Sequence, residues 1–237
     1  MTHYISGNNK GLLISFDGID SSGKETQSAM LAERLRHHGH KVHQFTTPDY
    51  ATKSGKELKA RLQNKIGNWQ ETSWEEKMSY FARNRAEHRE EVMQALSRGD
   101  VVIYDRYVPS SLAFITVEAT RAQEADLLRD RIQRAVDREE YTNNGMPKEG
   151  LSIFLDIPPH VASELLEKRK EKLQDEDEYT DHLEVQERLY NEYDIMYKAE
   201  PDRYLRISCV SGNELLSAED IAELVWEGLT ERFSQLK

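Results

Sequence analysis

Lys24, Asp105 and Arg106 are the side chains whose types and spacing best suit work on phosphate. Lys24 lies in Gly18-Ile19-Asp20-Ser21-Ser22-Gly23-Lys24-Glu25-Thr26, directly after the apolar run Leu12–Phe16 and before a helical pattern. In that order a glycine-bounded loop turns backbone N–H groups toward phosphate oxygens, and the helix that follows adds its positive end. Lys24 would meet the β- and γ-phosphates as a compact cation. Ser21, Ser22, Gly23, Lys24, Glu25 and Thr26 are therefore expected to hold a nucleoside triphosphate, with Mg²⁺ near Thr26. Glu25 is the one departure from the usual pattern, standing where Ser or Thr would ligate the metal. The apolar Val101-Val102-Ile103-Tyr104 ends in Asp105, a carboxylate suited to holding Mg²⁺ directly or through water. Arg106 comes next, as a bidentate phosphate ligand or as one half of a structural ion pair.

Something must bring these positions together. Short apolar runs at 11–16, 41–46, 101–104, 151–156 and 203–208 read as buried strands. Helical patterns fall between them at 27–38, 55–63, 74–97, 110–116, 123–140, 160–173, 180–198 and 218–233. Strands separated by helices predict right-handed crossovers and an α/β fold, with a five-stranded parallel sheet covered by helices on both faces. Ligands then gather beyond the carboxyl ends of the strands, which places 18–26, 46–52, 105–111 and the segment after Asp156 around one crevice. The dense charged stretch 167–181 reads either as a solvated helix end or as a lid over phosphates.

Composition bounds the rest. With 237 residues, 38% hydrophobic and 32% charged, the chain is expected to form a single domain over 1–237. A net charge of −11 argues against a nucleic-acid backbone as partner. The single Cys209 excludes an internal disulfide framework and fits a cytoplasmic protein. No apolar run is long enough for a membrane span, and residues 1–10 carry no apolar export core.

Three motifs, 16–27 (FDGIDSSGKETQ), 81–88 (FARNRAEH) and 105–114 (DRYVPSSLAF), with a looser fourth at 155–159, together resemble the thymidylate kinase family of P-loop nucleoside monophosphate kinases. The resemblance implies transfer of the ATP γ-phosphoryl group to dTMP, Mg²⁺ dependence, the P-loop kinase fold with a short lid, and a homodimer. It implies that Asp20 receives the deoxyribose 3′-hydroxyl, Phe81 stacks on the base and Arg85 contacts a base carbonyl. Arg106 would hold the acceptor phosphate, Tyr107 would crowd the sugar 2′ position, and Ser110 would add a polar contact. The segment after the last strand, 208–213, lies where the family approaches adenine. Lys168, Arg169 and Lys170 lead into the lid, and Arg169 is expected to bring positive charge to the transferring phosphoryl group.

Three positions depart from the family. Besides Glu25, the stretch Thr47-Pro48-Asp49-Tyr50 lies where an arginine often meets the acceptor phosphate; neither Thr47 nor Tyr50 supplies that charge, and Lys53 is the candidate replacement. Ile115 occupies a position that often carries a base-reading polar side chain. These leave open a kinase for another deoxynucleotide or deoxynucleoside. A nucleotide-binding protein without turnover is the alternative of another class. The cluster His37, His38, His40 and His43 reads as an exposed turn rather than a metal site, and 118–144 as a solvent-facing helix and loop.

Overall fold

The computed structural model describes residues 11–120, 125–173, 183–212 and 214–237, with side chains at 125–127 and 168–173 outside that description. Five parallel strands form the sheet: β1 (Leu12–Asp17), β2 (Val42–Thr46), β3 (Val101–Asp105), β4 (Leu151–Asp156) and β5 (Tyr204–Ser208), in the order β2-β3-β1-β4-β5. β1 is central and wholly buried, because strands covered on both faces need apolar side chains on both. Its register pairs Phe16 with Asp105 and Asp17 with Phe154, so the carboxyl ends of β1, β3 and β4 finish side by side.

Helices cover both faces. α1 (Lys24–His37) leaves the β1 loop through Gly23, whose φ of 85° is the left-handed conformation that glycine adopts without strain. Glu25 in its first turn and Arg34, Arg36 and His37 in its last complement the helix dipole. α2 (Lys53–Leu62) starts at Thr52, which accepts from Gly55 N–H, and α3 (Trp74–Ala86) starts with a reciprocal Ser73–Glu76 capping box. α4 (Arg89–Ser97), α5 (Val108–Ala119), α6 (Ala125–Asp137), α7 (Pro159–Leu173), α8 (Leu183–Ala199) and α9 (Ala218–Arg232) follow.

All five expected strands are present within a residue or so of the predicted limits. Two expectations are corrected. The pattern 74–97 is two helices, broken at Glu87 and His88, whose side chains are engaged with the first turn of α2 and the loop before it: Glu87 accepts from Ser54 N–H at 2.7 Å and His88 meets Asp49 at 3.0 Å. Those tertiary bonds outweigh a helical pattern that no Pro or Gly interrupts. Nor is 118–144 merely solvent-facing. Ile132 and Val136 of α6 are fully buried in a core cluster with α4, α5 and β3, and a π-helical turn, Arg138–Asn143, carries Glu140 into the interior.

The histidines have local partners, His43 with Asp100 at 2.8 Å and His38 against the Trp226 ring at 4.6 Å. No cluster of three or more potential metal ligands occurs among the described residues. No helix among them is long and apolar enough to cross a membrane.

Candidate active site

Asp17 ties the loop after β1 to the segment after β3. At the end of β1, its fully buried carboxylate accepts from Ser15 Oγ (2.6 Å), Ser152 Oγ (2.8 Å), Tyr107 N–H (3.3 Å), Ser110 N–H (3.0 Å) and Ser110 Oγ (2.5 Å). The segment after β3 is thereby clamped onto the loop after β1. Arg106 N–H donates to Phe16 O at 2.9 Å across the same seam. Arg106 adopts a φ of 64°, a conformation unfavourable for a side-chain-bearing residue, and this clamp is what enforces it.

Two adjoining cavities open here. The smaller, about 300 Å³, is lined by Asp20, Ser21, Gly23, Lys24, Glu25, Thr26, Asp105 and Arg106, together with Leu165 and Leu166 of α7. It brings the sequence-predicted phosphate and metal residues to one place. Lys24 is almost wholly buried and donates to Ile19 O (2.5 Å) and Ser22 Oγ (3.1 Å). Burial, reinforced by the Arg106 charge, lowers its pKa to about 7. Burial raises the Asp105 carboxyl above its usual value despite the nearby Arg106 and Lys24, with Asp17 and Glu25 adding to the rise. Its Oδ1 is buried without a hydrogen-bond partner.

The larger cavity, about 700 Å³, shares Asp20, Glu25 and Arg106 with the first. Its wall includes Tyr50, Lys65, Phe81, Arg85, Tyr107, Ser110, Ser111, Phe114, Gln186 and Tyr193. Arg106 Nη2 pairs with Asp20 Oδ1, and Gln186 holds Asp20 from the other side. The Gln186 amide accepts from Asp20 N–H at 3.0 Å and donates to Asp20 Oδ2 at 2.9 Å. Burial opposes the Asp20 charge, but Arg106, Lys24 and these hydrogen bonds leave its pKa below the ordinary value.

Phe81 and Arg85 face the cavity together, as their i,i+4 spacing requires. Phe81 is braced edge-on by Phe114 at 5.3 Å and Trp69 at 6.3 Å. Tyr107 is buried against Tyr104, its hydroxyl donating to Pro147 O at 2.7 Å. Ser110 lines the cavity, but its hydroxyl is already committed to Asp17 and accepts from Tyr193 OH at 3.0 Å.

The departures also find places. Ile115 is buried in the α5 core cluster and does not line the cavity, where Ser111 stands instead. Lys53 opens α2 as an exposed residue off the wall, whereas Lys65 is on it. Arg169 belongs to α7, but its side chain and those of Lys168 and Lys170 lie outside the described residues, as does 174–182 of the expected lid. The 208–213 segment contributes β6 (Val210–Ser211), which pairs antiparallel with β7 (Glu214–Leu215) just beyond it, with Asn213 itself outside the description.

The family model for thymidylate kinase matches residues 16–219. The chain belongs to the thymidylate kinase family. This kinase is 32% identical to a probable thymidylate kinase of Archaeoglobus fulgidus over 67% of the chain and 70% of that protein. It is 30% identical to one from Pyrococcus abyssi over 90% and 93% of the two chains. The solved thymidylate kinase of Candida albicans superposes on this kinase with a TM-score of 0.70 at 21% identity, covering 96% of this chain and 94% of the other, which establishes the shared fold. Sequence reading of the kinase missed Asp17, Ser111, Glu140 and Gln186. Asp17 lies inside the first motif and ends a strand, which is a usable signal. Gln186 lies 166 residues from its partner Asp20, and nothing local marks it.

Proposed function

We propose that this kinase transfers the γ-phosphoryl group of ATP to the 5′-phosphate of dTMP, giving dTDP. The carrying observation is that the donor cavity around Lys24 and the larger cavity around Phe81 and Arg85 share Asp20, Glu25 and Arg106. Donor and acceptor phosphates would meet at that junction.

Phosphoryl transfer of this kind depends on alignment, charge neutralisation and exclusion of water more than on covalent help. Lys24 and the loop N–H groups would hold the donor polyphosphate. Arg106, oriented by Asp20, would bridge the acceptor phosphate toward the γ-phosphate and offset their repulsion. Asp20 retains oxygen lone pairs to receive a sugar hydroxyl, and the Phe81 ring offers the base a face. Tyr107 would crowd the 2′ position, and the lid would bring Arg169 to the phosphates and exclude water.

The orphaned Oδ1 of Asp105 suits a divalent cation, which Asp105 and Thr26 would hold, with Glu25 on the same wall. Mg²⁺ bound there would neutralise the charge of the polyphosphate. The acceptor phosphate is itself the nucleophile, so no side-chain general base is assigned. We further propose a homodimer in a reducing cytoplasm, in keeping with the family and with one buried cysteine.

The test is ADP formation from Mg·ATP with dTMP, dUMP, dCMP, dGMP and thymidine in parallel. A clear preference for dTMP supports the reading. The missing arginine at Thr47 or Tyr50 motivates the alternatives: preference for another nucleotide or for thymidine would keep the donor site and replace the acceptor. ATP binding without ADP formation from any acceptor would mean a nucleotide-binding protein.

A further inference from the structure

We propose that Glu140 is a positioning residue for base specificity: it locks Arg85 so that only Nη1 is offered to the acceptor base. The inference rests on the proposed acceptor site and adds a residue to it.

Arg85 has five N–H donors in a fixed plane. Nε donates to Glu140 Oε2 at 3.1 Å, and Nη2 donates to Glu140 Oε1 at 2.5 Å and to Ser111 Oγ at 2.7 Å. Arg85 and Glu140 are 1% and 0% exposed, so solvent does not compete for these bonds. Three donors are thereby spent. Nη1 is buried with no partner, and Arg85 lines the 700 Å³ cavity. Because Ser111 Oγ accepts from Arg85, its own proton remains to be donated.

This arrangement presents the base with donors only. A base with a carbonyl at the ring position opposite Nη1 satisfies it, as thymine and uracil do. Cytosine places an amino group there and meets donor with donor, which leaves both buried and unpaired. Guanine also offers a carbonyl, so the size of the cavity, rather than Arg85, must exclude it.

Glu140 contributes a second effect through charge. An uncompensated guanidinium in this cavity would attract any anion, including the phosphate of a nucleotide entering in reverse. The bidentate carboxylate cancels that charge and leaves direction-dependent hydrogen bonding as the means of recognition. Glu140 arrives by a definite route. It extends the buried α6 stripe Ile132, Val136, Glu140, and the π-helical turn at Arg138–Asn143 carries it there. Within 118–144, α6 and the turn that follows it therefore serve the active site.

The experiment measures binding of dTMP and dCMP by titration calorimetry to wild type, E140Q and E140D, with ADP as a donor-site control and inorganic sulfate as a competitor. The expected result is a wild-type preference for dTMP that falls at least tenfold in E140Q. Sulfate should compete more strongly with dTMP in E140Q, and ADP affinity should stay within about twofold. E140D, which keeps the charge, should recover part of the preference. If E140Q does not fold, E140D and S111A are read by the same ratio, each expected to lower it several-fold. An E140Q preference equal to wild type, or an unchanged ratio in both substitute variants, overturns the positioning role alone. Wild type binding dCMP as tightly as dTMP overturns the acceptor reading together with this proposal.

Discussion

Arg106 and Asp20 face each other across the junction of the two cavities, the guanidinium paired with the carboxylate and the carboxylate held from behind by Gln186. The two residues come from different loops, after β3 and after β1, and each limits the rotamers of the other. A guanidinium fixed in this way loses less entropy when a phosphate binds than a free arginine would.

Breaking the pair should therefore affect the acceptor more than the donor. Asp20→Asn keeps the shape but removes the charge that orients Arg106. We expect the KM for dTMP to rise by about tenfold, equivalent to about 1.4 kcal/mol, with ADP affinity little changed. Arg106→Ala removes the bridging cation and is expected to lower kcat by about two to three orders of magnitude. Steady-state kinetics with each substrate varied in turn checks both. Equal losses toward donor and acceptor in Asp20→Asn would refute the division of labour.

Lys24 predicts a pH signature. Its pKa of about 7 in the free protein lies below the ordinary lysine value of 10.5, so between those limits the unfolded chain binds more protons than the folded one. Stability from this group therefore rises with pH from about 7 toward 10.5, by at most about 1.4 kcal/mol per unit. A bound polyphosphate favours the ammonium form. At pH 8, ATP binding should take up close to one proton, measurable by calorimetry in buffers of different ionisation enthalpy. Lys24→Met should abolish both the uptake and the pH slope. Proton release by wild type would contradict the depressed pKa.

Glu25 lines both cavities, so the carboxylate faces the crevice rather than solvent alone. There it adds negative charge beside the polyphosphate and beside Asp105, whose protonation it already favours. We expect nucleotide binding to depend on divalent cation more strongly than with a hydroxyl at this position. In Glu25→Gln, ADP alone should bind more tightly, and the gain from saturating Mg²⁺ should shrink by about tenfold. Calorimetric titration of ADP with and without Mg²⁺ measures that coupling directly. An unchanged coupling would mean that Glu25 takes no part in holding the metal.

The sequence made the scaffold legible because buried parallel strands are short unbroken apolar runs, and Leu12–Asp17 and Leu151–Asp156 are of that kind. The strand–loop–helix around Lys24 was legible because its signals are local, with glycine, lysine and helix start within a few residues. What remained hidden depends on distance. Gln186 reaches Asp20 only through the fold, and Glu87 and His88 break a helix because of partners at Ser54 and Asp49. Glu140 left a partial trace, a carboxylate in register with the apolar Ile132 and Val136. Its partner Arg85, 55 residues earlier, gave no local sign of the pairing. Ile115 misled in the opposite direction, because a helix position that often carries a polar side chain here points into the core.

Asp17 supports a last prediction, about stability and activity together. One buried carboxylate organises five donors from β1, β4 and the α5 start, so its loss strands N–H and O–H groups that water cannot reach. Hydrogen bonds to a charged acceptor contribute about 1.5–3 kcal/mol each in net terms, and the losses at one hub are not additive. Asp17→Asn retains one acceptor oxygen and turns the other into a donor facing donors. We expect a loss of about 2–4 kcal/mol in denaturant unfolding. Ser110→Ala removes a single member of the network and should cost about 1 kcal/mol. Because Asp17 also enforces the Arg106 backbone, Asp17→Asn should lower kcat even where the variant remains fully folded, while Ser110→Ala should lower it less. In a double-mutant cycle the two residues should couple by at least about 0.5 kcal/mol, as neighbours in one network do. Strict additivity would show that Ser110 is held by the helix start and not by Asp17.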